Sequence, residues 1–371
     1  MSLPPLHGIK VIELARILAG PFAGQTLADL GAEVIKIESP EGDDTRSWQP
    51  PVTLVDGDDI SAYFLSCNRG KDSIIADFNN DDDLQKVKQL IEQADIVIEN
   101  FKVGGLQKYG LDYASLAEKH PRLIYCSITG FGQDGPYANR AGYDYLIQGM
   151  SGIMDITGEK EGFPQKIGVA FTDIFTGLYS VIAIQAALLE RQISGLGQHI
   201  DMALFDSMVG VLANQSQNYF ATGISPKRMG NAHPNIVPYS VFPVQDGHII
   251  IASGNDRQYQ ALCETLDCEE IAKHPDFITN AKRVENRAIL MPLLEAKTKQ
   301  WTKVVLLDAL EKATVPAGPI NSVEEALNDP QLIHRNMRIK PEGIEGVRTP
   351  ISFSRSPLNL TKRAPKKGEH G

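Results

Sequence analysis

Cysteine is scarce in this chain. Four thiols, Cys67, Cys126, Cys263 and Cys268, are spread over 371 residues with no CxxC or CxxH pair. Neither a disulfide framework nor a zinc site is indicated. Cys67 and Cys126 lie in apolar contexts and read as buried thiols, which suits a reducing cytoplasm. Long apolar runs are also lacking: nothing approaches the ~20 residues that span a bilayer. Met1 to His7 lacks the charged-then-apolar order of a signal segment. The longest apolar stretch, Ile174 to Leu189, is broken by Thr176, Gly177, Tyr179, Ser180 and Gln185 and reads as a buried helix of a soluble protein. Positive charge is short as well. A net charge of −10 argues against a protein that coats nucleic acid or an anionic membrane, so any anionic ligand must be met locally. The one basic run, Lys362, Arg363, Lys366 and Lys367, falls in a tail with Pro and Gly and reads as solvated.

What is present describes a packed protein. Apolar residues at 42% and charged residues at 22% are ordinary for a folded chain, and its length favours two domains over one. Ile9 to Leu14 reads as a strand, Phe22 to Leu30 as a helix that Gly31 can end, and Val34 to Ile37 as a second strand. Ser73 to Ala76, Ile96 to Ile98 and Leu123 to Ile128 are further buried strands, with a helix over Asp83 to Gln93. This alternation predicts an α/β fold: a Rossmann-like parallel sheet whose ligands bind beyond the carboxyl ends of the strands. The turns after Leu14 and Ile98 are the places to look.

Beyond Asn218 the pattern changes. Tyr239 to Val244, the turn Gln245-Asp246-Gly247 and His248 to Ala252 predict a β-hairpin, followed by helices through Leu310. The expected division is a large domain over 1–217, a smaller α+β domain over 218–325, and a Pro-rich segment over 326–371 that returns to the large domain.

Three features could carry chemistry. The first βα turn, Ala15 to Pro21, precedes a helix whose amides could hold a phosphate, and Glu38 stands where a ribose-binding acid would. G-x-G-x-x-G is absent, however, and a tight turn packed on the sheet reads equally well. Asp173 precedes a helix over Ile174 to Gln192 whose Ile174, Leu178, Ile182, Ala186 and Leu189 form one apolar face. From sequence alone Asp173 is an N-cap. As a nucleophile, it would be kept ionised by the positive helix end. The stretch Gly130-Phe131-Gly132-Gln133-Asp134-Gly135-Pro136-Tyr137, continued by Arg140-Ala141-Gly142-Tyr143-Asp144, reads as a long functional loop.

Taken with Gly168-Val169-Ala170-Phe171-Thr172-Asp173 and Gly195-Leu196-Gly197-Gln198-His199-Ile200-Asp201, that stretch resembles the class III CoA-transferases (family III, CaiB/BaiF-type). Leu14 to Pro21, Glu99-Asn100-Phe101, Arg228 to Asn235 and Val315 to Ile320 extend the resemblance over nearly the whole chain. It implies an interlocked, ring-like homodimer and coenzyme A exchanged as substrate and product, with no metal, nucleic-acid or membrane partner. It also implies an Asp173 nucleophile that passes through an acyl anhydride and an aspartyl-CoA thioester.

The family's CoA contacts map onto Arg16, Leu18 and Ala19, onto Ala76, Asp77, Phe78 and Asn79, and onto Asn100, Phe101, Lys102, Lys108, Tyr109 and Tyr143. The match departs at Asn79, Lys108 and Asp72, where relatives often carry basic residues or Arg. Tyr143 stands where racemases of this fold carry a His, which disfavours α-proton transfer. Gly230, Asn231, Ala232 and His233 replace the glycine run of formyl-CoA transferases and are similar to members that accept dicarboxylic or hydroxy-dicarboxylic acids, with succinyl-CoA as a donor. For His233 by itself, a loop histidine bonding its neighbours is the simpler reading. The rival functions are an α-methylacyl-CoA racemase, a catalytically silent CoA-binding protein and a nicotinamide dehydrogenase.

Overall fold

Apolar blocks rich in Val and Ile become the strands of one sheet in a computed structural model that describes residues 2–371. They are β1 (Lys10–Glu13), β2 (Glu33–Glu38), β3 (Lys71–Ile75), β4 (Ile96–Glu99), β5 (Ile124–Thr129) and β6 (His199–Ala203). Their order is β3-β2-β1-β4-β5-β6, and every pairing is parallel. Strand order reverses between β1 and β4, so a crevice opens beyond their carboxyl ends, as it does in doubly wound sheets. The turns that follow Leu14 and Ile98 form that crevice. An antiparallel hairpin, Val52–Val55 with Asp58–Ser61, was not foreseen.

The helices start for identifiable reasons. In α1 (Ala19–Asp29) the chain enters without a side-chain cap, and ten of eleven residues are buried. In α2 (Asp81–Glu92) the Asn80 side chain accepts from the amides of Asp82 and Asp83, and the run Asp81-Asp82-Asp83 occupies the positive first turn. A short helix, α3 (Asp144–Met150), precedes the long α4 (Phe171–Ser194), which ends at Gly195 with φ 78°.

The face that α4 buries differs from the expected one. Leu178, Ile182 and Leu189 are 38%, 59% and 65% exposed, whereas Thr172, Thr176, Gly177, Ser180, Val181, Ile184, Ala187 and Leu188 are buried. Close approach to α1 decides this. A Cβ on Gly177 would sit 2.7 Å from the Ala19 carbonyl oxygen, so only a small-residue side fits there. The hydroxyls of Thr176 and Ser180 are satisfied within the helix by the carbonyls of Thr172 and Thr176, each at 2.8 Å. By length and composition α4 could also cross a membrane, with mean hydropathy 1.5 over its most apolar window. Asp173 does not precede this helix as an N-cap: it is the third helical residue, after Ala170 at the cap.

The chain divides into two compact units, one comprising everything up to Met154 with Lys166–Ile224 and Pro330–Gly371, the other Asp155–Gln165 with Ser225–Asp329. The sequence division at 217 and 325 misses the crossover of 155–165. That segment belongs with the second unit because Arg228 donates to the Asp155 carbonyl at 2.9 Å and carboxylate at 3.0 Å, and Gly230 N–H donates to Gly158 O at 3.0 Å. The second unit is built on an antiparallel sheet of β7 (Tyr239–Val244), β8 (Gly247–Ala252) and β9 (Ala317–Pro319). Helices pack Leu262, Leu290, Leu294, Leu306 and Leu310 onto it.

The charges of the tail are paired rather than free. Arg363 pairs with Glu369, Asp56 and Glu342, Lys366 with Asp58, and Lys362 with Asp72. Lys367 donates to the Pro40 carbonyl at 2.8 Å. His370 N–H donates to the Ser73 carbonyl at 3.0 Å, so the tail covers the edge strand β3.

Candidate active site

At the switch point the first unit holds an open cleft of about 600 Å³. Its floor is the β1–α1 turn, where Ile17 takes φ 72°, a costly conformation for a β-branched residue. That turn is held from both sides. Asn100 accepts the Arg16 N–H at 3.0 Å and donates to the Arg16 carbonyl at 2.7 Å, while Asp43 accepts the Ile17 N–H at 3.3 Å. Leu18 and Ala19 are buried beneath it.

Ten residues singled out from the sequence line this cleft: Arg16, Leu18, Ala19, Asn100, Phe101, Lys102, Lys108, Tyr109, Tyr143 and Asp173. Ala76, Asp77, Phe78 and Asn79 line an adjoining cavity of about 330 Å³, which shares Arg16, Phe101 and Tyr109 with the cleft. An aromatic cluster separates the two. Phe78 stacks on Phe101 with centroids 6.2 Å apart and meets Tyr109 edge-on at 5.4 Å, while the Tyr109 hydroxyl donates to Asn79 at 3.2 Å. Lys102, Lys108 and Arg140 bring positive charge to one side of an acidic chain, which is what phosphate groups require, whereas Arg16 is paired with Asp44 at 3.2 Å in the same cleft. The Arg140 guanidinium lies 4.4 Å above the Tyr137 ring.

Glu38 is not available to a ribose. Its carboxylate accepts from Arg46 twice at 2.7 Å, from Ser73 at 2.6 Å and from the Asp43 N–H at 2.9 Å, which removes the best residue of the dinucleotide reading.

Asp173 lines the cleft and makes no hydrogen bond or ion pair among the described residues. Burial, and then the nearby Asp144 carboxylate, push its acid up to about 7. The sequence-based expectation that the helix end keeps it ionised is therefore opposed by desolvation and a like charge. Asp144 is itself fixed, accepting from the Thr172 N–H and from Gln148 at 2.8 Å each. Sequence reasoning missed Asp144, although it ends the quoted Gly142-Tyr143-Asp144 run. Trp48 and Tyr63 were missed too; their rings meet edge-on at 4.9 Å. The Tyr63 hydroxyl is pushed up to about 12 by burial and by Asp173. No signal in the sequence marked either ring.

Gly230, Asn231, Ala232 and His233 lie in the second unit. There the His233 ring accepts the Asn235 N–H through Nδ1 at 3.1 Å, its carbonyl accepts from Arg287 at 2.7 Å, and burial and the Arg287 charge hold the ring's pKa down. It is a loop histidine bonded to its neighbours. Among the described residues no three His, Cys, Asp or Glu side chains are grouped as metal ligands.

The model of CoA-transferase family III matches residues 6–371. A succinate–glutarate CoA-transferase of Agrobacterium fabrum is 56% identical over 99% of this chain and 94% of its own length. A succinyl-CoA:glutarate CoA-transferase of Mus musculus is 40% identical over 100% and 85%. The crystal structure of a CAIB/BAIF family protein from Brucella suis, 62% identical, superposes with a TM-score of 0.90 and covers 100% of this chain and 98% of that one. With a Rossmann-ordered sheet, a basic cleft at its switch point and matches that run the length of the sequence, the chain belongs to CoA-transferase family III and is a CoA-transferase.

Proposed function

We propose that this enzyme moves CoA from succinyl-CoA to a second dicarboxylic acid of glutarate size, with Asp173 as nucleophile. One observation carries the role of Asp173: a half-buried carboxylate with no side-chain partner of its own, lining a cleft to which Lys102, Lys108 and Arg140 bring positive charge. The acids are inferred from the relatives that act on succinate and glutarate.

The steps balance without water or a net proton. An Asp173 oxygen attacks the thioester carbonyl, forming an acyl anhydride and releasing CoA thiolate. The thiolate attacks the aspartyl carbonyl, giving an aspartyl-CoA thioester and freeing the donor acid. The acceptor carboxylate then attacks that thioester, and the thiolate returns to the acceptor carbonyl and regenerates Asp173. The enzyme-bound thioester conserves the energy of the donor thioester, with the more reactive anhydride passed through on either side of it, and this division into steps is the advantage of the covalent route.

The test is mass spectrometry after incubation with succinyl-CoA and then hydroxylamine. A hydroxamate at residue 173, absent in Asp173→Ala, is the expected result. Full transferase activity in Asp173→Ala would sink the proposal.

We also infer a homodimer. The chain exposes 19589 Å², whereas two separate units of these sizes would expose about 17,000 Å². Ile182, Leu189, Ile193 and Phe220 are 59% to 90% exposed in the first unit, and a second copy would cover them. Sedimentation should give twice the chain mass at micromolar concentration; a monomer there would refute it.

A further inference from the structure

We propose that Glu99 is a positioning residue that sets the affinity of the cleft for CoA, acting through the backbone of Phe101 rather than by touching the ligand. The inference rests on the cleft being the CoA site. Glu99 is the last residue of β4, is 6% exposed and lines neither cavity. Its carboxylate accepts the Phe101 N–H at 2.7 Å. The peptide so held carries Asn100, which fixes the Arg16 backbone, and Phe101, whose ring lies between the two cavities. A change at Glu99 therefore reaches both sides of the nucleotide cleft through two residues.

Glu99 has no cation partner among the described residues. Ser127, opposite it on β5, hydrogen-bonds to it and favours its charged form, and the Ser127 hydroxyl lies 2.9 Å from His199 Nε2. The other titratable groups around it are Asp201 and His199 on β6 and Tyr125 and Cys126 on β5, the Cys126 thiol being itself raised by burial and so neutral through this range. Asp201 is turned to the Gln133 N–H at 2.9 Å, and His199 stacks on Tyr113 at 5.0 Å. With hydrogen bonds alone to hold its charge, the carboxyl is pushed up by burial, and then by Asp201, to about 7. A charged carboxylate grips the Phe101 N–H more strongly than a neutral acid does, so the clamp tightens as pH rises through neutrality.

The experiment compares wild type, Glu99→Gln and Ser127→Ala by calorimetric titration with free CoA and by steady-state kinetics, from about pH 6 to about pH 8. The phosphates of CoA titrate alike in all three proteins, so differences between proteins report on the clamp. Glu99→Gln, with a melting temperature no lower than that of wild type, should bind CoA about fivefold more weakly near pH 8. Its KM for acyl-CoA should rise by the same factor with kcat kept, and it should converge on wild type near pH 6. Ser127→Ala should move the wild-type midpoint to higher pH. A fall in kcat at unchanged KM, or the same pH dependence in Glu99→Gln as in wild type, would overturn the inference. If Lys102→Ala with Arg140→Ala leaves CoA affinity intact while Glu99→Gln lowers it, the cleft reading has failed and this inference falls with it.

Discussion

Asp173→Asn is expected to lose transfer between acids entirely, yet to unfold at a higher temperature than wild type above pH 7. The first effect follows from the loss of the attacking oxygen. A rate difference of many powers of ten is open to a covalent nucleophile, and no neighbouring carboxylate can replace it, because Asp144 is committed to the start of α4. The second effect is a matter of linkage. In the unfolded chain this acid titrates near 3.8, and in the fold at about 7. Between those values the folded state holds a proton that the unfolded state has released, so stability falls as pH rises across that window. Above it the full cost is present.

Asn carries no charge to desolvate, so its advantage should be absent near pH 4 and complete above pH 7. The side chain faces a cleft open to water, which reduces the gain to about 1–2 kcal/mol, or roughly 2–6 °C. Thermal melts at a series of pH values, with transfer assays alongside, check both parts. A variant that is inactive but no more stable at high pH would mean that Asp173 carries no such cost, and that its acid is not raised in solution.

Much of this arrangement was legible in the sequence because it follows from local rules. Runs such as Ile96 to Ile98 are too apolar and too short to be anything but buried strands, and their alternation with helices implies the switch-point crevice. Asp173 was legible for a different reason: the surrounding Gly168 to Asp173 pattern resembles a family, whereas the residue by itself reads as a cap. What could not be read depends on contacts between distant segments. The buried side of α4 is set by the approach of Gly177 to Ala19, and no periodicity in residues 171–194 reveals that approach. The tail charges look free because their partners, Asp56, Asp58 and Asp72, lie some three hundred residues earlier. The crossover of 155–165 depends on Arg228 finding the Asp155 carbonyl. Asp144 and Asp173 act on one another only because α3 and α4 place two acids together.

The second large effect lies beneath the cleft. Glu13 and Lys71 are fully buried and Lys36 is 1% exposed. Lys71 Nζ donates to Glu13 Oε1 at 2.9 Å and stands 2.8 Å from Oε2 without hydrogen-bond geometry. Lys36 Nζ is 3.1 Å from Glu13 and 2.8 Å from Asp43. The same ammonium groups hold the first turn, Lys36 through the Ala15 carbonyl at 2.7 Å and Lys71 through the Pro21 carbonyl at 2.8 Å. Gly24 keeps this space clear, since a Cβ there would lie 1.8 Å from the Glu13 carboxylate.

Glu13→Gln keeps the shape and removes one negative charge, leaving Lys71 with no anion. Breaking one side of a buried network in this way costs about 3–5 kcal/mol, seen as a lower denaturant midpoint with an unchanged slope. Burial already holds the Lys71 pKa down against the pull of Glu13, and without Glu13 the amine should be neutral in the fold. The unfolded chain then binds the extra proton, so the variant's stability should climb between about pH 7 and pH 10 by up to ~1.4 kcal/mol per unit, which wild type would not match. Adding Lys71→Met should recover part of the loss, because the stranded amine is gone. A Glu13→Gln protein as stable as wild type at neutral pH would mean that the turn carrying Ile17 is held by its backbone contacts to Asn100 and Asp43 alone.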